Sequence, residues 1–90
     1  MERLPNIDKE ATGGRLRRLM RLRHISIFDL QKRFDFCSPS NIYAWRRGDR
    51  LPSVENLYQL AYILDCKMDD IIVREELPDG KNTRSTMQRL

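Results

Sequence analysis

The sequence predicts an all-α fold, a compact domain of five short helices with a short N-terminal arm and a flexible C-terminal tail. Three observations predict it. Apolar residues recur at steps of three and four along successive segments. Capping residues, prolines and glycines punctuate those segments. Almost no run alternates apolar and polar residues as a half-buried strand does.

The first helix is expected from Thr12 to Arg23, where Leu16, Leu19 and Met20 share one side and Arg15, Arg17, Arg18 and Arg21 the other. His24 stands where this pattern breaks, and its tolerance of left-handed geometry suits it to end a helix rather than to do chemistry. The second helix is expected from Ser26 to about Asp35, because Ser26 and Asp29 have the spacing of a reciprocal N-terminal cap; Ile27, Leu30 and Phe34 form its apolar stripe. Ser38-Pro39 supplies a second start signal, an N-cap with proline at the first helical position. The third helix then runs through Ile42 and Trp45 to Arg47 and stops at Gly48, which can turn left-handed. Ser53 caps a fourth helix with the cleanest period in the chain: Val54, Leu57, Leu60, Ala61 and Leu64. A short fifth helix from Met68 to Val73 buries Met68, Ile71 and Ile72, while Asp69 and Asp70 favour its positive end. Beyond Arg74 the pattern dissolves into a turn at Pro78-Asp79-Gly80 and a polar run. The expected organisation is thus an arm over 1–11, a helical domain over 12–74 and a tail over 75–90.

Ninety residues, 33% of them charged, make one modest core and leave no room for a cleft walled by separate domains. The longest apolar run, Leu60 to Leu64, is far short of the roughly 20 residues that span a bilayer. The first residues lack a basic segment followed by an apolar one, so a cytoplasmic protein is expected. Cys37, Cys66 and His24 are too few to complete a four-ligand zinc site, and the two thiols read as small apolar fillers in a reducing compartment. No metal and no cofactor is expected. Catalysis is not expected either, because no acid, base or nucleophile is accompanied by a partner constellation.

The formal charge of +4 is unevenly distributed: residues 1–14 carry −1, residues 15–50 carry +7 and residues 51–90 carry −2. A positive stretch of this kind suits a polyanion. An anionic membrane is a poorer fit, because bulky interfacial aromatics do not accompany the arginines. Inside this stretch, the second and third helices are joined by a connection of only a few residues. That is a helix-turn-helix arrangement.

From Gly13 to Val73 the chain resembles the lambda-repressor-like, Cro and XRE-type, helix-turn-helix family of DNA-binding regulators. The resemblance is carried by Leu16 and Leu19, by Ser26 with Leu30, by Ile42-Tyr43-Ala44-Trp45-Arg46-Arg47-Gly48, by Leu51-Pro52-Ser53, and by Leu57, Ala61, Leu64 and Asp69-Asp70-Ile71-Ile72. Ser38-Pro39, Ile42-Tyr43 and Trp45 match a branch whose recognition helix reads Ser-Pro-x-x-Ile-Tyr-x-Trp. Some positions depart from the pattern. The connection before the third helix reads one residue longer, which bears on the angle of that helix. Ile27 replaces a frequent phosphate-binding glutamine. Met20 and Arg46 stand where many members pair an arginine with a glutamate, so both halves of that pair are missing together. Lys67 replaces the usual cap of the fifth helix, which is expected to fray.

With Ile42 and Trp45 inward, helical geometry turns Ser40, Tyr43, Ala44 and Arg47 outward and leaves Asn41 on the flank. Ser40, Asn41, Tyr43 and Ala44 are the expected base readers: Ser40 and Asn41 by hydrogen bonds, Ala44 by packing on a thymine methyl, and Tyr43 by either. Only Asn41 has a side chain suited to a bidentate base contact, so specificity is expected to lean on DNA shape or on the N-terminal arm. Trp45, three residues from Ile42, belongs to the core. The resemblance implies phosphate contacts at Arg47 and Arg50; Ser38, Arg21, Lys32 and Arg33 are further candidates, with simple solubility as the competing explanation for each arginine and lysine. It also implies a homodimer on double-stranded DNA, most simply as a repressor. The alternative is a protein-interaction module of the same fold, such as an antitoxin or anti-repressor, whose partner would engage the C-terminal tail.

Overall fold

A computed structural model describes residues 4–34 and 39–76. The helices are α1 (Lys9–Leu22), α2 (Ile27–Arg33), α3 (Pro39–Arg47), α4 (Val54–Leu64) and α5 (Met68–Ile71), and no strand is present among the described residues. Residues 77–90 of the tail expected over 75–90, Cys37 and the Ser38 cap lie outside the described residues.

Local chemistry explains most helix ends. Helix α1 starts at Lys9, ahead of the expected Thr12, because the Asp8 carboxylate accepts from the Ala11 amide at 3.0 Å. It ends where His24 turns left-handed at φ 56°. Ser26 and Asp29 form the expected reciprocal cap of α2: the Asp29 amide donates to the Ser26 hydroxyl at 3.1 Å, and the Ser26 amide donates to the Asp29 carboxylate at 2.9 Å. Gly48 follows α3 at φ 84°. Ser53 caps α4 through the Asn56 amide, and Asp65, which the sequence did not single out, ends that helix left-handed at φ 56°. Lys67 gives α5 no side-chain cap, yet its amide donates to the Asp70 carboxylate at 2.9 Å, and α5 stops at Ile71, two residues before the expected Val73.

The Asp29 cap makes a testable statement about pH. Its bonds with Ser26 hold the Asp29 carboxyl below the usual carboxylate range, against a small opposing effect of desolvation. A group with a lowered folded-state pKa stabilises above its unfolded pKa, and that contribution is lost as pH falls through the folded value. Asp29→Ala is therefore expected to lower the thermal midpoint at neutral pH, and its deficit against the wild type should shrink on acidification. Thermal melts followed by circular dichroism from neutral to acidic pH check this.

The core gathers one face from each helix. Leu16, Leu30, Ile42, Leu60, Leu64 and Ile71 are almost completely enclosed, with Met20, Phe34, Trp45, Leu57 and Ala61 around them. Val54, expected in the α4 stripe, is 78% exposed, whereas Leu57 and Leu60 of the same stripe are buried. Met68 and Ile72 are half-buried against the core rather than inside it.

Two contacts set the position of α3. Phe34 at the end of α2 meets Trp45 edge-to-face, with ring centroids 6.0 Å apart and planes at 76°. On the α1 side the backbones themselves touch: a Cβ on Gly13 would lie 2.5 Å from the Arg46 carbonyl oxygen and 2.7 Å from that of Trp45. Helix α3 thus lies between α1 and α2. The two ends of the domain are tied as well. The Asp8 amide donates to the Val73 carbonyl at 2.7 Å, the Glu75 amide to the Asn6 carbonyl at 2.9 Å, and the Val73 amide to the buried Thr12 hydroxyl at 2.9 Å.

Candidate nucleic-acid interface

The outer face of α3 carries the exposed residues Pro39, Ser40, Tyr43 and Arg47. Asn41 is half-buried on the flank, as expected. Ala44 is not on this face: it is 3% exposed, and the expectation that it packs on a thymine methyl is corrected. A helix covered by one neighbour buries a narrow stripe, but α3 is covered on two sides, so its buried sector widens from Ile42 and Trp45 to include Ala44. The chain after the helix also folds back on this residue, with the Gly48 and Asp49 amides donating to the Ala44 carbonyl at 3.1 and 2.9 Å.

The basic side chains divide into two groups. Arg15, Arg17 and Arg23 bind backbone carbonyls across the fold: Arg15 Nη1 donates to Asp70 at 2.8 Å, Arg17 Nη1 to Arg46, and Arg23 Nε to Leu64 at 2.9 Å. These arginines satisfy helix C-terminal carbonyls and join elements distant in sequence. Arg21, Lys32, Arg33, Arg47 and Arg50 are exposed. Lys32 Nζ lies 5.1 Å from the centroid of the exposed Phe28 ring, a cation–π contact that holds its stem on α2. Ser38 lies outside the described residues, and so does the connection expected to be one residue longer.

Two expected site residues are brought together along α3, with Arg50 beyond its end reaching back to Asn41 in its first turn. Arg50 Nη2 donates to Asn41 Oδ1 at 3.1 Å, which uses one of the two lone pairs of the Asn41 amide oxygen and leaves its N–H groups to donate. Arg47 Nε pairs with Asp49 Oδ2 at 2.8 Å; both side chains are more than half exposed. Asp49 was not singled out from the sequence, although an acidic residue two positions after a phosphate-contact candidate was the available signal. Of the two positions where the frequent arginine–glutamate pair is missing, Arg46 has its Nε buried without a hydrogen-bond partner among the described residues. Met20, at the other position, sits in the core at 4% exposure.

A model of the Cro/C1-type HTH DNA-binding domain family matches residues 15–76. The chain belongs to the Cro/C1-type helix-turn-helix family. No curated protein and no solved structure gives a significant match. As a member of this family the domain binds DNA, and α2 and α3 are its helix-turn-helix pair. The matched span contains the whole positive stretch and excludes the residues up to Gly14. In this Cro/C1-type domain Asn6 and Asp8 are tied to Glu75 and Val73. None of the helices among the described residues is long and apolar enough to cross a membrane.

Proposed function

We propose that the protein is a cytoplasmic, sequence-specific transcriptional regulator, most simply a repressor, that binds double-stranded DNA as a homodimer and lays α3 in the major groove. The observation that carries this reading is the outer face of α3, where Ser40 and Tyr43 stand exposed near the helix start while Arg47 and Arg50 flank its end. A helix entering the major groove offers its N-terminal residues to base edges, and cations at its periphery meet phosphates. Ser40, Tyr43 and the Asn41 N–H groups are the proposed base readers; Arg47, Arg50, Arg21, Lys32 and Arg33 are the proposed phosphate contacts. Arg15, Arg17 and Arg23 are left out because they already serve carbonyls within the fold.

Five phosphate contacts per domain would give a log–log dependence of affinity on salt of about −4.5, at roughly −0.9 per phosphate. Fluorescence-anisotropy titration of a random duplex pool at several salt concentrations measures this slope. A slope near that value supports the assignment, whereas binding that ignores salt, or no binding at low salt by the folded chain, would refute it. Repression is tested separately by placing a selected operator across a promoter and measuring transcription with and without the protein.

A further inference from the structure

Helix α4 carries an apolar stripe that nothing in the described fold covers. Val54, Tyr58 and Tyr62 recur every four residues and are 78%, 64% and 79% exposed. At about 1.5 Å per residue they form one ridge about 12 Å long. The helix is unusual in charge as well as shape, since Glu55 is the sole ionised side chain between Val54 and Leu64, in a chain that is 33% charged. A polyanion would gain nothing from this face. Helix α4 packs on α5, while the DNA-facing α3 packs on α1 and α2, so the stripe and the reading helix belong to different parts of the surface.

We propose that the Val54, Tyr58, Tyr62 ridge is the surface on which two copies of this chain meet, with the two α4 helices antiparallel about a two-fold axis at Tyr58. This rests on the dimeric DNA-binding reading above and names the surface that such a dimer uses. A symmetric interface places the same patch on both copies, so a patch on a protein of charge +4 must not repel itself. This ridge meets that condition. Centring the axis on Tyr58 sets Val54 of each copy against Tyr62 of the other. The two Glu55 carboxylates then lie toward opposite ends of the contact, each beside a Tyr62 phenol that can donate to it. Tyrosine suits such a place because it supplies a large apolar ring and a polar tip. From the roughly 150–250 Å² that an enclosed aromatic buries, the ridge offers on the order of 400 Å² per copy. A standard interface buries about 800 Å² per partner. The dimer is consequently weak in free solution, in the micromolar range, and is completed when adjacent half-sites hold two copies together.

Sedimentation velocity of the full chain without DNA tests the proposal, comparing wild type with Tyr58→Asp and Tyr62→Asp over low-micromolar to near-millimolar concentrations. The wild type should move from monomer toward dimer, and high salt should not dissociate it. Both variants should stay monomeric with an unchanged circular-dichroism spectrum. A wild type that is monomeric throughout, or variants that dimerise as well as wild type, would overturn the interface. If an aspartate variant unfolds, Tyr58→Cys in a Cys37→Ala, Cys66→Ala background decides: a position on the two-fold must cross-link to itself on mild oxidation, and its failure to do so rejects this geometry. Binding to a duplex too short for two copies is measured on the same samples. Its retention in monomeric variants separates loss of the interface from loss of DNA recognition.

Discussion

Gly13→Ala is expected to destabilise the domain by about 1–3 kcal/mol, whereas Gly14→Ala, one position along the same helix, is expected to stabilise it by about 0.5–1 kcal/mol. Propensity alone predicts a gain at both positions, since glycine in a helix interior wastes backbone entropy. The surroundings decide the sign. At Gly14 an added methyl meets only the Arg17 Nη2 atom at 3.5 Å, an ordinary contact with the far end of a flexible side chain. At Gly13 it meets the carbonyl oxygens of Trp45 and Arg46 at 2.7 and 2.5 Å, and a helical backbone cannot swing aside. The α1–α3 seam must open. Because that seam positions α3, the proposed reading helix, Gly13→Ala should also weaken DNA binding at protein concentrations and temperatures where the variant remains folded. Urea unfolding gives the stability difference through the midpoint at constant slope, and duplex titration of the folded variant gives the second effect. Equal responses from the two glycines would show that the helices do not touch in this way.

The seam also marks the limit of what the sequence discloses. Signals contained within one turn were legible: the Ser26 and Asp29 cap, the left-handed His24 and Gly48, and the inward pairing of Ile42 with Trp45. The start of α1 at Lys9 was local too. It was obscured because Gly13 and Gly14 interrupt the apolar period just where the helix begins, and the Asp8 cap lies a turn earlier. What stayed hidden depends on residues distant along the chain. Ala44 is buried because two elements, not one, cover α3. Arg15, Arg17 and Arg23 looked like part of a uniform basic face, and only the fold shows that their guanidinium groups bind the carbonyls of Asp70, Arg46 and Leu64. The positive stretch thus correctly indicated DNA, while its charge overstated the number of cations free to meet phosphates.

That distinction gives the second large effect. Arg47→Ala together with Arg50→Ala is expected to lower affinity for any duplex by roughly tenfold to a hundredfold, taking about 1 kcal/mol for each exposed contact, and to make the salt slope shallower by about 1.8. The same pair of alanines introduced at Arg15 and Arg23 should leave the slope nearly unchanged and act on stability instead, because those groups are tied to carbonyls inside the fold. Asp49→Ala should act in the opposite direction. Its carboxylate lies 2.8 Å from Arg47 Nε, so the ion pair lowers the positive potential at the edge of the α3 face and holds the guanidinium toward its own chain. Removing it frees Arg47 and takes a like charge away from the approaching backbone. Tighter binding is the expected result, with a salt slope nearly unchanged because Arg47 already counts among the phosphate contacts. Arg50 adds an effect that the salt slope does not read. While Arg50 Nη2 donates to Asn41 Oδ1, it holds the amide toward the end of α3 and competes with the adenine amino group for that oxygen. Arg50→Ala alone should therefore weaken binding overall and sharpen the preference for adenine at the position Asn41 faces. Binding-site selection on wild type and variant measures that shift. A uniform loss of affinity with no change at any base would place Asn41 outside the groove and leave recognition to Ser40, Tyr43 and the shape of the DNA.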